Sequence, residues 1–267
     1  MTSPAAMPMT IKVTKTSAEQ SSTEQSSTEQ SSETFRARRG DTLVQPTLIS
    51  FTPRADALDI IEAAVTASGR ELGAARRPLD PNATPDPRVE EWFNGSMTKT
   101  VRLVTKDVLD RMLDDVTNDV SFGSARNGVA TAGTLPVTTY AEMPRYARMA
   151  RVEFNGPNPA ECLGMSIGVA RNPRHHILLI GDAGMSVGKL AAQGAHAACK
   201  LVDREGGNSY AVLDDTSISI VTSEQAQKAI DEARTEDQPV VVITDNGLTE
   251  VEAGTLTAVV VPANIQL

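Results

Sequence analysis

Three short stretches in the last third of this 267-residue chain hold residue types that can do chemistry. Gly188-Lys189 stands between an apolar run and an Ala-rich segment, a glycine-lysine pair where a strand hands over to a helix. An Asp-x-Gly-x-Thr turn follows at Asp245-Asn246-Gly247-Leu248-Thr249, and a Gly-Thr-x-Thr stretch at Gly254-Thr255-Leu256-Thr257. A glycine-lysine pair at such a junction first suggests the phosphate-binding loop GxxxxGK followed by Ser or Thr. Two positions break that pattern. Ala183 stands where the first glycine belongs, and Leu190 replaces the hydroxyl that would hold magnesium. The two cysteines, Cys162 and Cys199, have neither a CxxC partner nor metal-ligand spacing, which argues against a zinc site and a disulfide framework. No cofactor and no metal is therefore expected.

The elements that must position these residues can be read from periodicity. Residues 177–180 are an apolar run suited to a buried strand, and Gly181-Asp182-Ala183-Gly184 turns the chain into a helix from about 188 to 204, ended by Gly206-Gly207. Residues 217–221 suit a strand. Thr222 and Gln225 have capping-box spacing, and Ala226, Ile230 and Ala233 give a second helix one apolar face. Residues 239–244 and 256–261 read as two more strands. The order β-α-β-α-β-β over residues 174–267 predicts an α/β domain, a four-stranded mixed sheet with helices packed on it.

Upstream, residues 18–33 repeat a Ser/Thr/Glu/Gln pentad with no apolar residue to bury, so residues 1–38 are expected to be a disordered tail that ends in Arg36 and Arg38, with Arg39 just beyond. Residues 39–160 read as an α+β region that carries no motif convertible into chemistry. Leu43, Val44, Leu48, Ile49 and Phe51 suggest a strand. After Pro53, the spacing of Leu58, Ile61 and Val65 suggests a helix. Pro78, Pro81, Pro85 and Pro87 mark a loop, Val101, Val104, Val108 and Met112 a second helix, and Gly123, Gly128 and Gly133 punctuate short strands. Residues 152–154 read as another strand.

The composition, with 40% hydrophobic, 22% charged and only 3% aromatic residues, predicts a core of aliphatic side chains and alanine. No run of 18 apolar residues and no apolar leader is present, so neither a membrane span nor a signal peptide is expected and the protein is read as cytoplasmic. Of the net charge of -9, most falls in residues 171–267, which hold 7 basic and 13 acidic groups. Proteins that grip nucleic-acid backbones present a basic footprint, so any such surface here must be local.

Read whole, residues 185–198, MSVGKLAAQGAHAA, resemble the signature helix of type 2 peptidyl-tRNA hydrolases, where a glycine-lysine pair precedes AAQ and then HA. The Asp-x-Gly-x-Thr and Gly-Thr-x-Thr stretches resemble that family's second block, in the same order and at matching places in the layout. The resemblance implies cleavage of the ester between a peptide and the 3′ ribose of tRNA, with peptidyl-tRNA as the partner, and it leaves room for a homodimer. It implies Lys189, Asp245, Thr249 and Thr257 as the site. Ester hydrolysis of this kind needs water held near the carbonyl and positive charge where the oxyanion develops, roles that Asp245 and Lys189 suit. His196 shares the helical face of Lys189 and is read as a structural group. Two family cations are replaced, by Val187 and Ile180. Those losses favour the competing reading, a weakly active or inactive relative that binds RNA or a protein on the same fold. The hydrolase reading requires Lys189, Asp245 and Thr257 to converge on one solvent-open groove.

Overall fold

The computed structural model describes residues 40–76, 84, 86–114, 120–125, 128–152, 154–168, 173–206, 208–247 and 250–265. The expected tail at 1–38, its arginines and most of the proline-rich loop lie outside the described residues. The chain divides into two units, Met1–Thr42 and Leu43–Leu267, and the second holds every element below.

Its first sheet is built around β1 (Leu43–Phe51), which pairs in parallel with β2 (Lys99–Leu103) and antiparallel with β4 (Ala130–Thr134). β3 (Ser121–Ser124) continues the order β2-β1-β4-β3, and the short β5 (Thr138–Thr139) pairs with the start of β1. Helix α1 (Ala57–Arg76) begins after the Pro53 turn as expected. Helix α2 (Pro87–Asn94) puts Pro87 in its first turn, where the missing N–H costs nothing, behind an Asp86 cap. Pro87 therefore starts an element as well as bounding a loop. The helix expected through Val101 and Val104 is corrected: residues 99–103 are β2, and only α3 (Lys106–Asp114) is helical. The β-branched Thr100 and Val101 find a ready partner in β1, and that pairing overrides the helical spacing. The strand expected at 152–154 reduces to a single bridge between Leu103 and Arg151, and Glu153 lies outside the described residues. A short helix α4 (Arg145–Met149) precedes it.

The second sheet has the order β6-β8-β7-β10-β9. Its four expected strands are β7 (His175–Ile180), β8 (Thr216–Val221), β9 (Val241–Thr244) and β10 (Leu256–Pro262). β7 and β8 run parallel while β10 is antiparallel to both β7 and β9, so the sheet is mixed as expected. A fifth strand, β6 (Ser166–Gly168), adds to the edge of β8 from ahead of residue 174. Helix α5 (Val187–Glu205) connects β7 to the short helix α6 (Ser209–Asp214), and α7 (Ser223–Thr235) follows β8 behind the full Thr222/Gln225 capping box.

The continuous apolar run of β7 has a two-sided explanation, because successive side chains point to opposite faces. Ile177 and Leu179 join the main core with α5, whereas Leu178 and Ile180 join Ala226, Ile230 and Ala233 of α7 on the other face. That main core also takes Ile49 of β1 and Ile60, Ile61 and Val65 of α1, so α1 and α5 pack face to face and the two sheets share one interior. Each such fully buried aliphatic side chain contributes roughly 1.5–3 kcal/mol. The close approach depends on Gly194, where a Cβ would lie 2.8 Å from Val65 Cγ2. Among the described residues no helix is long and apolar enough to cross a membrane.

Candidate active site

Helix α5 starts with Ser186 as its cap, the hydroxyl accepting from the Lys189 amide at 3.2 Å. This fixes the first turn and sends the Lys189 side chain toward the end of β9, where its ammonium forms an ion pair with Asp245 Oδ2. Asp245 uses its other oxygen, Oδ1, to accept from the Gly247 amide at 2.8 Å, closing an Asx-type turn that Gly247 completes at a φ of +72°. The turn residue and the ion-pair partner are thus one carboxylate, with its two oxygens assigned to different tasks.

Thr257 reaches the same cluster through an irregularity in β10. The register to β9 shifts between Leu256 and Ala258, leaving Thr257 as the extra residue of a β-bulge, a device that re-aims a side chain. Its hydroxyl lies 3.0 Å from Gln193 Oε1 and 3.1 Å from the Ile243 carbonyl. Gln193 completes the circuit by donating its Nε2 to Asp245 Oδ2 at 2.8 Å. Because Gln193 is four residues after Lys189, both project from one face of α5. Gln193 is a site residue that sequence reasoning missed. Its signal was present in the AAQ of the motif and in the four-residue spacing.

Lys189, Asp245 and Thr257 therefore converge, and Thr249 lies outside the described residues. The expected open groove is corrected. The Asp245 side chain is 4% exposed and Thr257 0%, and only Lys189, at 15%, offers an edge to solvent. The physical reason is that Asp245 needs Gln193 and Lys189 to offset its desolvation, and those partners close around it. A cleft of about 560 Å³ opens next to the start of α5, walled by residues 154–160, Asp182 and residues 184–187, one helical turn from Lys189. None of the converging residues lines it.

That wall explains one of the lost cations. Segment 154–160 crosses the start of α5 so closely that a Cβ on Gly156 would lie 2.5 Å from Val187 Cγ1, and one on Gly188 would lie 2.9 Å from the Phe154 ring. Val187 is 2% exposed beneath this contact, a place where an ammonium would lose its water. Ile180 is buried on the α7 side of the sheet, away from α5. The Ser186 amide and hydroxyl both donate to Glu250, at 2.6 and 2.7 Å, so the helix dipole meets the chain's own carboxylate.

His196 keeps to the structural reading in its surroundings. Its Nε2 is buried without a hydrogen-bond partner among the described residues, and its pKa is pushed down to about 3, chiefly by burial and then by the nearby charge of Lys99. A hydrogen bond to the Met97 backbone works in the other direction. A neutral imidazole so held is a packing group on the site helix.

The mixed sheet, the helix that starts at a capped glycine-lysine pair and the bulged strand bearing Thr257 together define an α/β protein whose polar cluster of Lys189, Gln193, Asp245 and Thr257 sits where α5 meets β9 and β10. Residues 175–266 match the family described as Peptidyl-tRNA hydrolase PTH2. The chain is 34% identical over 93 residues to a protein named peptidyl-tRNA hydrolase from Methanocaldococcus jannaschii, an alignment spanning 32% of this chain and 81% of that protein. The chain belongs to the peptidyl-tRNA hydrolase PTH2 family.

Proposed function

We propose that this chain hydrolyses the ester between a peptide, or an N-blocked amino acid, and the 3′ ribose of tRNA. The observation that carries the reading is the Lys189–Asp245 ion pair, tied through Gln193 to Thr257. Asp245 Oδ1 accepts one backbone bond and, as a carboxylate oxygen, retains a second lone pair that can orient water. The water adds to the ester carbonyl, the bond to the ribose oxygen breaks, and the proton that the water gives up ends on that oxygen. Lys189, the most exposed member, faces the developing oxyanion, and such a placed charge contributes more inside a protein than in water. Thr257 positions Gln193, and Thr249 is kept as a further site residue on the strength of its motif. No metal or cofactor is needed for these steps.

In this reading peptidyl-tRNA is the partner, the protein works in the cytoplasm, and residues 174–267 carry the chemistry while residues 39–160 support the site helix. A homodimer is compatible with it. One observation favours the alternative of an RNA- or protein-binding relative: both Asp245 oxygens are already engaged and three of the four cluster members are almost fully enclosed.

The test is release of N-acetylated amino acid from charged tRNA by wild type, Lys189→Ala and Asp245→Ala across a salt series. Turnover by wild type that both variants lose supports the hydrolase. Absence of turnover by folded wild type at low salt favours the binding reading.

A further inference from the structure

A second polar cluster lies farther along α5, between that helix, α1 and the first sheet. Lys99, at the start of β2, donates its Nζ to Ser68 Oγ at 2.8 Å and to Cys199 Sγ at 3.2 Å, and also contacts Gln45 Oε1. The ammonium stands 4.5 Å from the centre of the Trp92 ring. Cys199 is fully enclosed, with its sulfur 3.5 Å from the Ser68 carbonyl, while Lys99 is half-buried. The hydrolase reading uses none of these side chains.

We propose that hydrogen peroxide converts Lys99 and Cys199 into a covalent sulfur–nitrogen cross-link between β2 and α5. In the first step the Cys199 sulfur attacks peroxide, the O–O bond breaks, and the thiol becomes a sulfenic acid with release of one water. Sulfenic acids condense with nitrogen nucleophiles when one is held beside them. In the second step the Lys99 Nζ lone pair attacks that sulfur and the S–O bond breaks. The hydroxyl leaves with a proton from nitrogen as a second water. The pair loses two hydrogens in all, and one peroxide is reduced to water.

Three features favour this outcome over simple oxidation of the thiol. The nitrogen already stands at a near-attack separation, which is about 3–3.5 Å. Its hydrogen-bond acceptors in the cluster, an amide oxygen, a hydroxyl and a thiol, are neutral, and burial lowers the pKa of Lys99, against the opposing pull of Cys199 and Glu71, so the free amine is easier to reach. Finally, the full enclosure of Cys199 excludes bulky disulfides as competing partners for the sulfur.

The experiment treats the full chain with hydrogen peroxide under native conditions and maps peptides by mass spectrometry without reduction. The expected product is a linked pair of peptides containing Lys99 and Cys199, lighter than their sum by two hydrogens and restored by dithiothreitol. The linked pair is lost in Lys99→Arg, whose guanidinium is a poor nucleophile, and retained in Cys162→Ala. If Lys99→Arg does not fold, Lys99→Met serves in its place. Wild type in which Cys199 stays unmodified, or carries oxygen without a link to Lys99, overturns the proposal.

Discussion

Helix α5 carries Lys189 and meets Lys99 from β2, and their surroundings differ in kind. Lys189, in the first turn of α5, meets a carboxylate that is itself braced by Gln193 and a turn amide. Lys99 reaches the middle of α5 from β2 and contacts an amide oxygen, a hydroxyl and a thiol, with an aromatic face close by. A charge facing a charge is suited to electrostatic work, because the pair is already compensated and can be redirected toward an oxyanion. An amine facing neutral groups and partly withdrawn from water holds its proton less firmly and is suited to bond formation. One helix thus carries an ion-paired lysine in its first turn and meets another lysine, from β2, near its middle, and after burial the charges of both push down the pKa of His196 between them.

The largest effect expected from breaking this contrast is at Asp245. Asp245→Ala strands Lys189 and Gln193 without their partner, so hydrolysis should be abolished and stability should fall by about 3–5 kcal/mol in urea unfolding. Gln193→Ala keeps the ion pair but cuts its link to Thr257. Loss of alignment on this scale costs up to about 100-fold, and the expected signature is a fall in kcat with little change in KM. Lys99→Met should sharpen the comparison from the other side. It leaves the Ser68 hydroxyl oxygen short of a donor, while Gln45 Oε1 keeps the Ser68 hydroxyl as its donor, so the cost is about 1–3 kcal/mol of stability and the specific activity of the folded protein is preserved.

The effect smallest at neutral pH is the acid response of His196. Its folded pKa of about 3 lies below the ordinary histidine value of about 6.5, so the unfolded chain binds more protons between those values and stability falls as pH drops below about 6.5. The slope is at most roughly 1.4 kcal/mol per pH unit from this group. Denaturant titrations from pH 7 to pH 4 should show a shallower loss for His196→Asn than for wild type.

Much of the second sheet was legible because its signals are local: the capping box at Thr222 and Gln225, Gly206 after α5, and a β7 run apolar on both faces. Lys189, Asp245 and Thr257 were legible as a set through motif order. Their enclosure was not, because it depends on Gln193 bridging residues that lie far apart in sequence and on a bulge that no residue type announces. Residues 99–103 misled for the complementary reason: helical spacing of valines is a local signal, and the parallel partner that overrides it lies about fifty residues upstream. The apolar Val187 is intelligible only with segment 154–160 folded over it. The Lys99–Cys199 pair joins residues a hundred positions apart and left no trace in spacing.

In the proposed ester hydrolysis, Lys189 and Asp245 work as one unit. The most direct measurement is a double-mutant cycle on kcat/KM for release of N-acetylated amino acid from tRNA, using Lys189→Ala, Asp245→Ala and the double variant. Residues that act together lose little more when both are removed than when either is. The double variant should be about as impaired as the worse single one. Losses that multiply, or a single variant that retains wild-type turnover, would contradict it.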